Sequence, residues 1–155
     1  MDTVEHLRQL FGYNDWANRR MIVAVKSSGS ERCLEVLSHL VLTEREWFER
    51  LHGKDSGGVS FWPELTVEEC GDIARENAGN YERLLRRFEE EGLDIRCRYF
   101  NSKGKQYENT FREILTHVIM HSAIHRGNIV IKLRDEGFEP PQTDHIVYLR
   151  ETKYI

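Results

Sequence analysis

The chain has 155 residues, 39% of them hydrophobic and 31% charged, with a formal net charge of −4. That length suits one domain, expected to span 1–155, with a real apolar core and little room for a second. No apolar run approaches the roughly 20 residues needed to cross a membrane, and interspersed charges of slight acidic excess disfavour a nucleic-acid partner. Cys33, Cys70 and Cys97 are odd in number and widely spaced, which argues against a disulfide framework or a Cys-x-x-Cys zinc site. They read as reduced thiols, and Cys33 and Cys70, which sit in helical patterns, as small buried residues rather than nucleophiles. The start, Met1-Asp2-Thr3-Val4-Glu5-His6, lacks the basic and apolar regions of a secretory signal, so a cytoplasmic location is expected.

The first helix is predicted from about Val4 to Val25. Val4, Leu7, Phe11, Asn14, Asn18, Met21 and Val25 recur at alternating three- and four-residue intervals and form an inward-facing seam. Asn14 and Asn18 interrupt that seam; a buried amide needs partners, so a polar cavity or a subunit contact is expected beside them. Ser27-Ser28-Gly29-Ser30 breaks the pattern, and a second helix follows from Glu31 to Leu51, ending at His52-Gly53. The short break predicts that helices one and two are antiparallel neighbours. Helix two carries two apolar stripes, Leu34, Leu37, Val41 and Phe48 on one and Val36, Leu40 and Trp47 on the other. A helix with two apolar sides is buried on both, which predicts that the bundle takes one side and a partner subunit the other, giving a homodimer.

Lys54 to Leu65, with Gly57, Gly58 and Pro63, is a surface loop in which Phe61 and Trp62 require burial. A third helix opens on the capping box Thr66-x-x-Glu69 and is expected to continue to Gly92 through Val67, Cys70, Ala74, Asn77, Tyr81, Leu84 and Phe88. Leu93 to Tyr107 alternates weakly around the turn Asn101-Ser102-Lys103-Gly104-Lys105, the pattern of a short β-hairpin. A second capping box, Thr110-x-x-Glu113, starts helix four, which runs to about Glu136 before Gly137. Pro140-Pro141 bars further helix, and Asp144 to Arg150 closes the chain with a turn or short helix. The fold class is all-α: a four-helix bundle with one crossover connection carrying a hairpin between helices three and four.

Helix four places His117, His121 and His125 in one row within an otherwise Ile, Val and Met segment. Residues four apart on a helix are offset by about 40° and about 6 Å. Either His117 and His121 or His121 and His125 can therefore chelate one ion, whereas all three span about 12 Å. A third ligand must come from another helix, and His39 on helix two is the leading candidate. Three imidazoles at this spacing favour a metal site over core or solvated histidines.

These pieces resemble a known family, the DinB-like (YfiT-like) metalloenzymes, over nearly the whole chain. The residues that carry the resemblance are Phe11-Gly12-Tyr13-Asn14-Asp15-Trp16-Ala17-Asn18, Leu37-Ser38-His39-Leu40, Thr116-His117-x3-His121-x3-His125-Arg126-Gly127-Asn128 and Gly137-x-x-Pro140-Pro141-x-x-Asp144. The resemblance implies a four-helix bundle holding a divalent metal ion, zinc or nickel, on His39, His121 and His125, with His117 left as pocket wall. It also implies a dimer, and its relatives include enzymes that use low-molecular-weight thiols such as bacillithiol or mycothiol.

Three neutral imidazoles leave the ion its full charge and an open position, as in catalytic rather than structural zinc sites. A water there is acidified and a thiol is held as thiolate, so the expected activity is a metal-dependent transfer or hydrolysis on a small-molecule substrate. Asn14, Asn18, Asn77 and Tyr81 are expected to line the approach. The competing expectation is a non-catalytic metal- or ligand-binding bundle, a sensor or scaffold.

Overall fold

The computed structural model describes residues 1–153. Helix α1 covers Thr3–Ser28, α2 Glu31–Leu51, α3 Val67–Arg86, α4 Phe111–Asp135 and α5 His145–Thr152, with a two-stranded antiparallel sheet of β1, Arg96–Phe100, and β2, Gln106–Thr110, between α3 and α4. Both capping boxes form. Thr66 and Thr110 accept from the backbone N–H of Glu69 and Glu113, whose carboxylates accept from the two threonine N–H groups in return. At the end of α1, Gly29 adopts the left-handed conformation (φ 64°) and its N–H closes on the carbonyl of Val25.

The seam of α1 is buried as its periodicity predicts, from Val4 through both asparagines to Val25. The partners of that seam differ from expectation. Helices α1 and α2 are not neighbours along their length: each packs between α3 and α4, so the two lie across a diagonal of the bundle. A two-residue link brings only their ends together, and the apolar faces of both helices are satisfied by the pair α3 and α4. Both stripes of α2 are covered within the chain, with Val36, Leu37, Leu40 and Val41 buried and Leu34, Trp47 and Phe48 half-buried against the two core clusters. Helix two therefore offers no free apolar side to a partner.

Helix α3 also stops earlier than the pattern suggests, at Arg86, and a 3-10 turn over Glu90–Asp94 follows. Phe88 leaves the helical seam to pack against Phe111 of α4, with ring centroids 5.1 Å apart. A Cβ on Gly92 would lie 2.7 Å from the Phe88 ring, so this close approach needs glycine. The hairpin forms where expected, in the register Tyr99 opposite Tyr107 and Arg98 opposite Glu108. Its turn is organised by Asn101, whose side-chain oxygen accepts from the N–H of Lys103 and of Lys105.

The core divides into two apolar clusters. One holds Leu7, Phe11, Tyr81, Leu85, Leu115 and Val118; the other holds Met21, Leu37, Val41, Ala74, Ile129 and Leu133. Between them every long helix contributes a polar residue: Asn14 and Asn18 from α1, Glu44 from α2, Asn77 from α3, and Ser122 and Arg126 from α4, all at most 4% exposed.

Candidate metal centre

His39 projects from α2 and His121 and His125 from α4, and one nitrogen of each lies within 4.8 Å of the others. The Nε2 atoms of His121 and His125 are 3.2 Å apart. Tetrahedral zinc with bonds of 2.0–2.1 Å places its nitrogen donors about 3.3 Å from one another, so this pair already has a chelating separation. The rings of His39 and His125 stand nearly perpendicular, at 83° with centroids 4.5 Å apart. His125 is thus the partner that the geometry groups with His121. His117 stays outside this cluster: its ring centroid is 5.5 Å from that of His121, and it packs edge-on against Trp47.

The orientation of each imidazole is fixed from behind. Nδ1 of His39 donates to the carbonyl of Phe61 at 2.5 Å, which leaves Nε2 unprotonated and free to ligate. Nδ1 of His121 lies 3.4 Å from the Thr43 hydroxyl, which itself donates to the carbonyl of Leu40. Nδ1 of His125 lies 3.3 Å from Nδ2 of Asn128, a contact that orients the ring. The loop residues Phe61 and Trp62 meet the histidines here, but the burial expected of them is incomplete: Phe61 is half-buried and Trp62 remains 50% exposed. The Trp62 indole lies flat on His39, 3.9 Å away at an interplanar angle of 4°.

Burial and mutual repulsion push these rings toward the neutral form, the one that binds metal. Burial, followed by repulsion from His125, His39 and His117, lowers the pKa of His121 to about 4. Burial lowers those of His39 and His125 as well, with His39 adding to the effect on His125. The cysteines behave oppositely. All three are free and buried, and burial raises their pKa values, so none is an activated thiolate.

Asn14, Asn18, Asn77 and Tyr81 lie in the bundle centre rather than on an approach to the histidines. Nδ2 of Asn14, Asn18 and Asn77 all donate to the carboxylate of Glu44, at 2.6, 3.1 and 3.3 Å, and the Tyr81 hydroxyl donates to the Glu44 carbonyl at 2.6 Å. The side-chain oxygens of Asn14 and Asn18 accept in turn from Nη1 of Arg126, at 2.5 and 2.8 Å. Two amides therefore bridge a buried carboxylate and a buried guanidinium, each polarised in the sense both charges favour. Glu44 and Ser122 escaped the sequence reading, and Arg126 entered it only as part of a motif, with no role. The signal was present as polar residues embedded in apolar stretches of helices two and four, of the same kind as the paired asparagines of helix one.

Architecture and donors together define a helical bundle with a three-histidine cluster shared between two facing helices. The chain belongs to the DinB family, whose family model matches residues 2–154. It is also similar to the Protein DinB of Bacillus subtilis (strain 168), with 29% identity over 164 residues that cover 94% of each chain.

Proposed function

We propose that this chain binds one divalent metal ion, zinc or nickel, through His39, His121 and His125, and that it is a metal-dependent enzyme of the low-molecular-weight-thiol S-transferase type. The observation that carries this reading is the 3.2 Å approach of the His121 and His125 Nε2 atoms with the His39 donor beside them. The donor set fits such an ion, since it is all nitrogen, pushed toward the neutral form and already oriented. When bound, the ion supplies Lewis acidity at a position the protein leaves open, lowering the pKa of a thiol or water placed there.

The chain's own residues do the rest. Phe61 fixes the tautomer of His39, Thr43 and Asn128 orient His121 and His125, and Trp62 covers the face of His39. His117, whose ring nitrogens make no hydrogen bond among the described residues, stands beside the cluster as a group that can take up or return a proton. A homodimer belongs to the same reading. With no apolar stripe residue of α2 exposed, the exposed apolar residues Met120, Ile124 and Ile131 on one face of α4 are the surface for it. Among the described residues no helix is long and apolar enough to cross a membrane, and a cytoplasmic small-molecule enzyme accords with that.

The test is consumption of free thiol. Bacillithiol or glutathione mixed with a generic electrophile is expected to disappear faster with metal-loaded protein than with chelator-treated protein. Metal bound at the three histidines with no metal-dependent thiol loss on any such pair moves the function to a non-catalytic metal-binding module.

A further inference from the structure

A concavity reaches the histidine cluster through His117, which stands beside His121. It is a cleft of about 260 Å³ between α2, α4 and the hairpin, lined by Trp47, Tyr99, Asn109, Glu113, Ile114 and His117. Tyr99 and His117 both stand steeply against the Trp47 indole, each with its centroid 5.1 Å away and at angles of 71° and 68°. Ile114, only 2% exposed, supplies an aliphatic wall. The guanidinium of Arg50 stacks on Trp47 at 4.4 Å and is anchored to Ser56, so the indole is braced rather than free to collapse into the cleft.

The polar groups of this cleft divide into satisfied and unsatisfied ones. The Tyr99 hydroxyl donates to Asn109 Oδ1 at 2.6 Å, and Asn109 Nδ2 donates to Glu113 Oε2 at 3.0 Å. Glu113 also closes the capping box of α4, so this chain of groups is occupied by the fold. The His117 ring and the Trp47 indole N–H are the polar wall groups left without a hydrogen bond among the described residues, and the His117 ring stands beside that of His121, 5.5 Å between centroids.

We infer that this cleft is a binding site for a small flat ring, aromatic or unsaturated, bearing one neutral hydrogen-bonding substituent that pairs with His117. Size supports that class. A dry apolar cavity of about 150 Å³ holds a benzene ring, so about 260 Å³ holds one ring with a substituent or two. Aromatic walls reward a ring with edge-to-face contacts that an aliphatic ligand of equal volume does not make. The Glu113 carboxylate at the rim, kept ionised by its hydrogen bonds from Asn109 and Thr110, opposes an anionic substituent. As the place where an electrophilic substrate waits beside the reaction centre, the cleft rests on the metal-dependent reading above; as a binding site it does not.

Phenol titrated into metal-free protein, followed by amide and indole NMR signals, tests this directly. The expected result is saturable shifts centred on Trp47, Tyr99, Ile114 and His117. Phenol should bind more tightly than cyclohexanol, which keeps the hydroxyl and loses the ring electrons. His117→Ala, a change at an exposed position that leaves the fold intact, should weaken phenol roughly fivefold, the loss of one hydrogen bond. Shifts centred instead on the groove of Val23, Leu133 and Phe138 would overturn the assignment. So would equal binding of cyclohexanol, or phenol binding that appears only after zinc is added. A parallel zinc titration without phenol reports on the triad alone, so failure of the cleft and failure of the metal site are read separately.

Discussion

The hydroxyl of Ser122 donates to the carboxylate of Glu44 at 2.6 Å, one residue beyond His121 on α4 and one residue beyond Thr43 on α2. Because Thr43 faces His121 on the neighbouring side of the same two helices, this buried bond sets the axial register of α2 against α4 where the histidines must converge. The same carboxylate collects Asn14, Asn18 and Asn77, so all four long helices are keyed to one atom group in the bundle centre. An apolar layer there would pack as tightly but would tolerate sliding, and a slide of one residue, about 1.5 Å, would spoil a chelating pair.

Removing one charge of the bridged pair leaves the other buried without compensation. Glu44→Ala is expected to destabilise the fold by about 3–5 kcal/mol, with Arg126→Met comparably harmful and the double substitution less harmful than the sum. Urea unfolding of the metal-free proteins measures this. Additive single effects would show that the two groups do not share a network.

The groups behind the imidazoles should matter to metal without mattering much to folding. Thr43→Val and Asn128→Ala are expected to weaken zinc binding about 10- to 100-fold, the usual cost of losing an outer-shell partner. Competition with a chromophoric chelator gives the affinities. Unchanged affinity in both variants would mean that the ring orientations are not set by these contacts.

Acid should destabilise the metal-free protein in a defined window. Burial and neighbouring imidazoles depress His121 from 6.5 to about 4, so between those values the unfolded chain binds a proton that the folded chain refuses. Stability is therefore complete above about pH 6.5 and falls as pH drops toward about 4, by at most about 3 kcal/mol for this group. Urea midpoints at pH 7.5, 6, 5 and 4.5 should decline in that order, and His121→Leu should flatten the decline. The same depression moves proton competition for metal below the ordinary imidazole range, since His39 and His125 are lowered too.

Assembly is tested on α4. Met120, Ile124 and Ile131 are 61, 63 and 59% exposed on one helical face, and light scattering at micromolar concentration is expected to give a dimer mass for the wild type and a monomer mass for Ile124→Glu. A monomeric wild type would remove the dimer from the account.

Periodicity carried the helices well because their seams are governed by local burial: every seam residue named for α1 is buried, and both capping boxes form. It failed where a long-range choice decides. The diagonal placement of α1 and α2 depends on which faces α3 and α4 fill, and the early end of α3 depends on Phe88 meeting Phe111, 23 positions away in sequence. His39, His121 and His125 were legible as a group, through helical spacing and the family resemblance together. The asparagines were legible as buried amides in need of partners. Their partners were not, because Glu44 and Arg126 read in sequence as ordinary charges on helical faces, and only the fold shows that they point inward.

The central claim, one ion on three named imidazoles, is tested most directly by metal content. Purified wild-type protein, loaded with zinc or nickel, desalted and measured by plasma mass spectrometry, is expected to hold one ion per chain. His39→Ala, His121→Ala and His125→Ala should each lose most of it, while His117→Ala, His6→Ala and His52→Ala should keep it. Unchanged metal content in the first three variants, with circular dichroism showing all of them folded, would contradict the account.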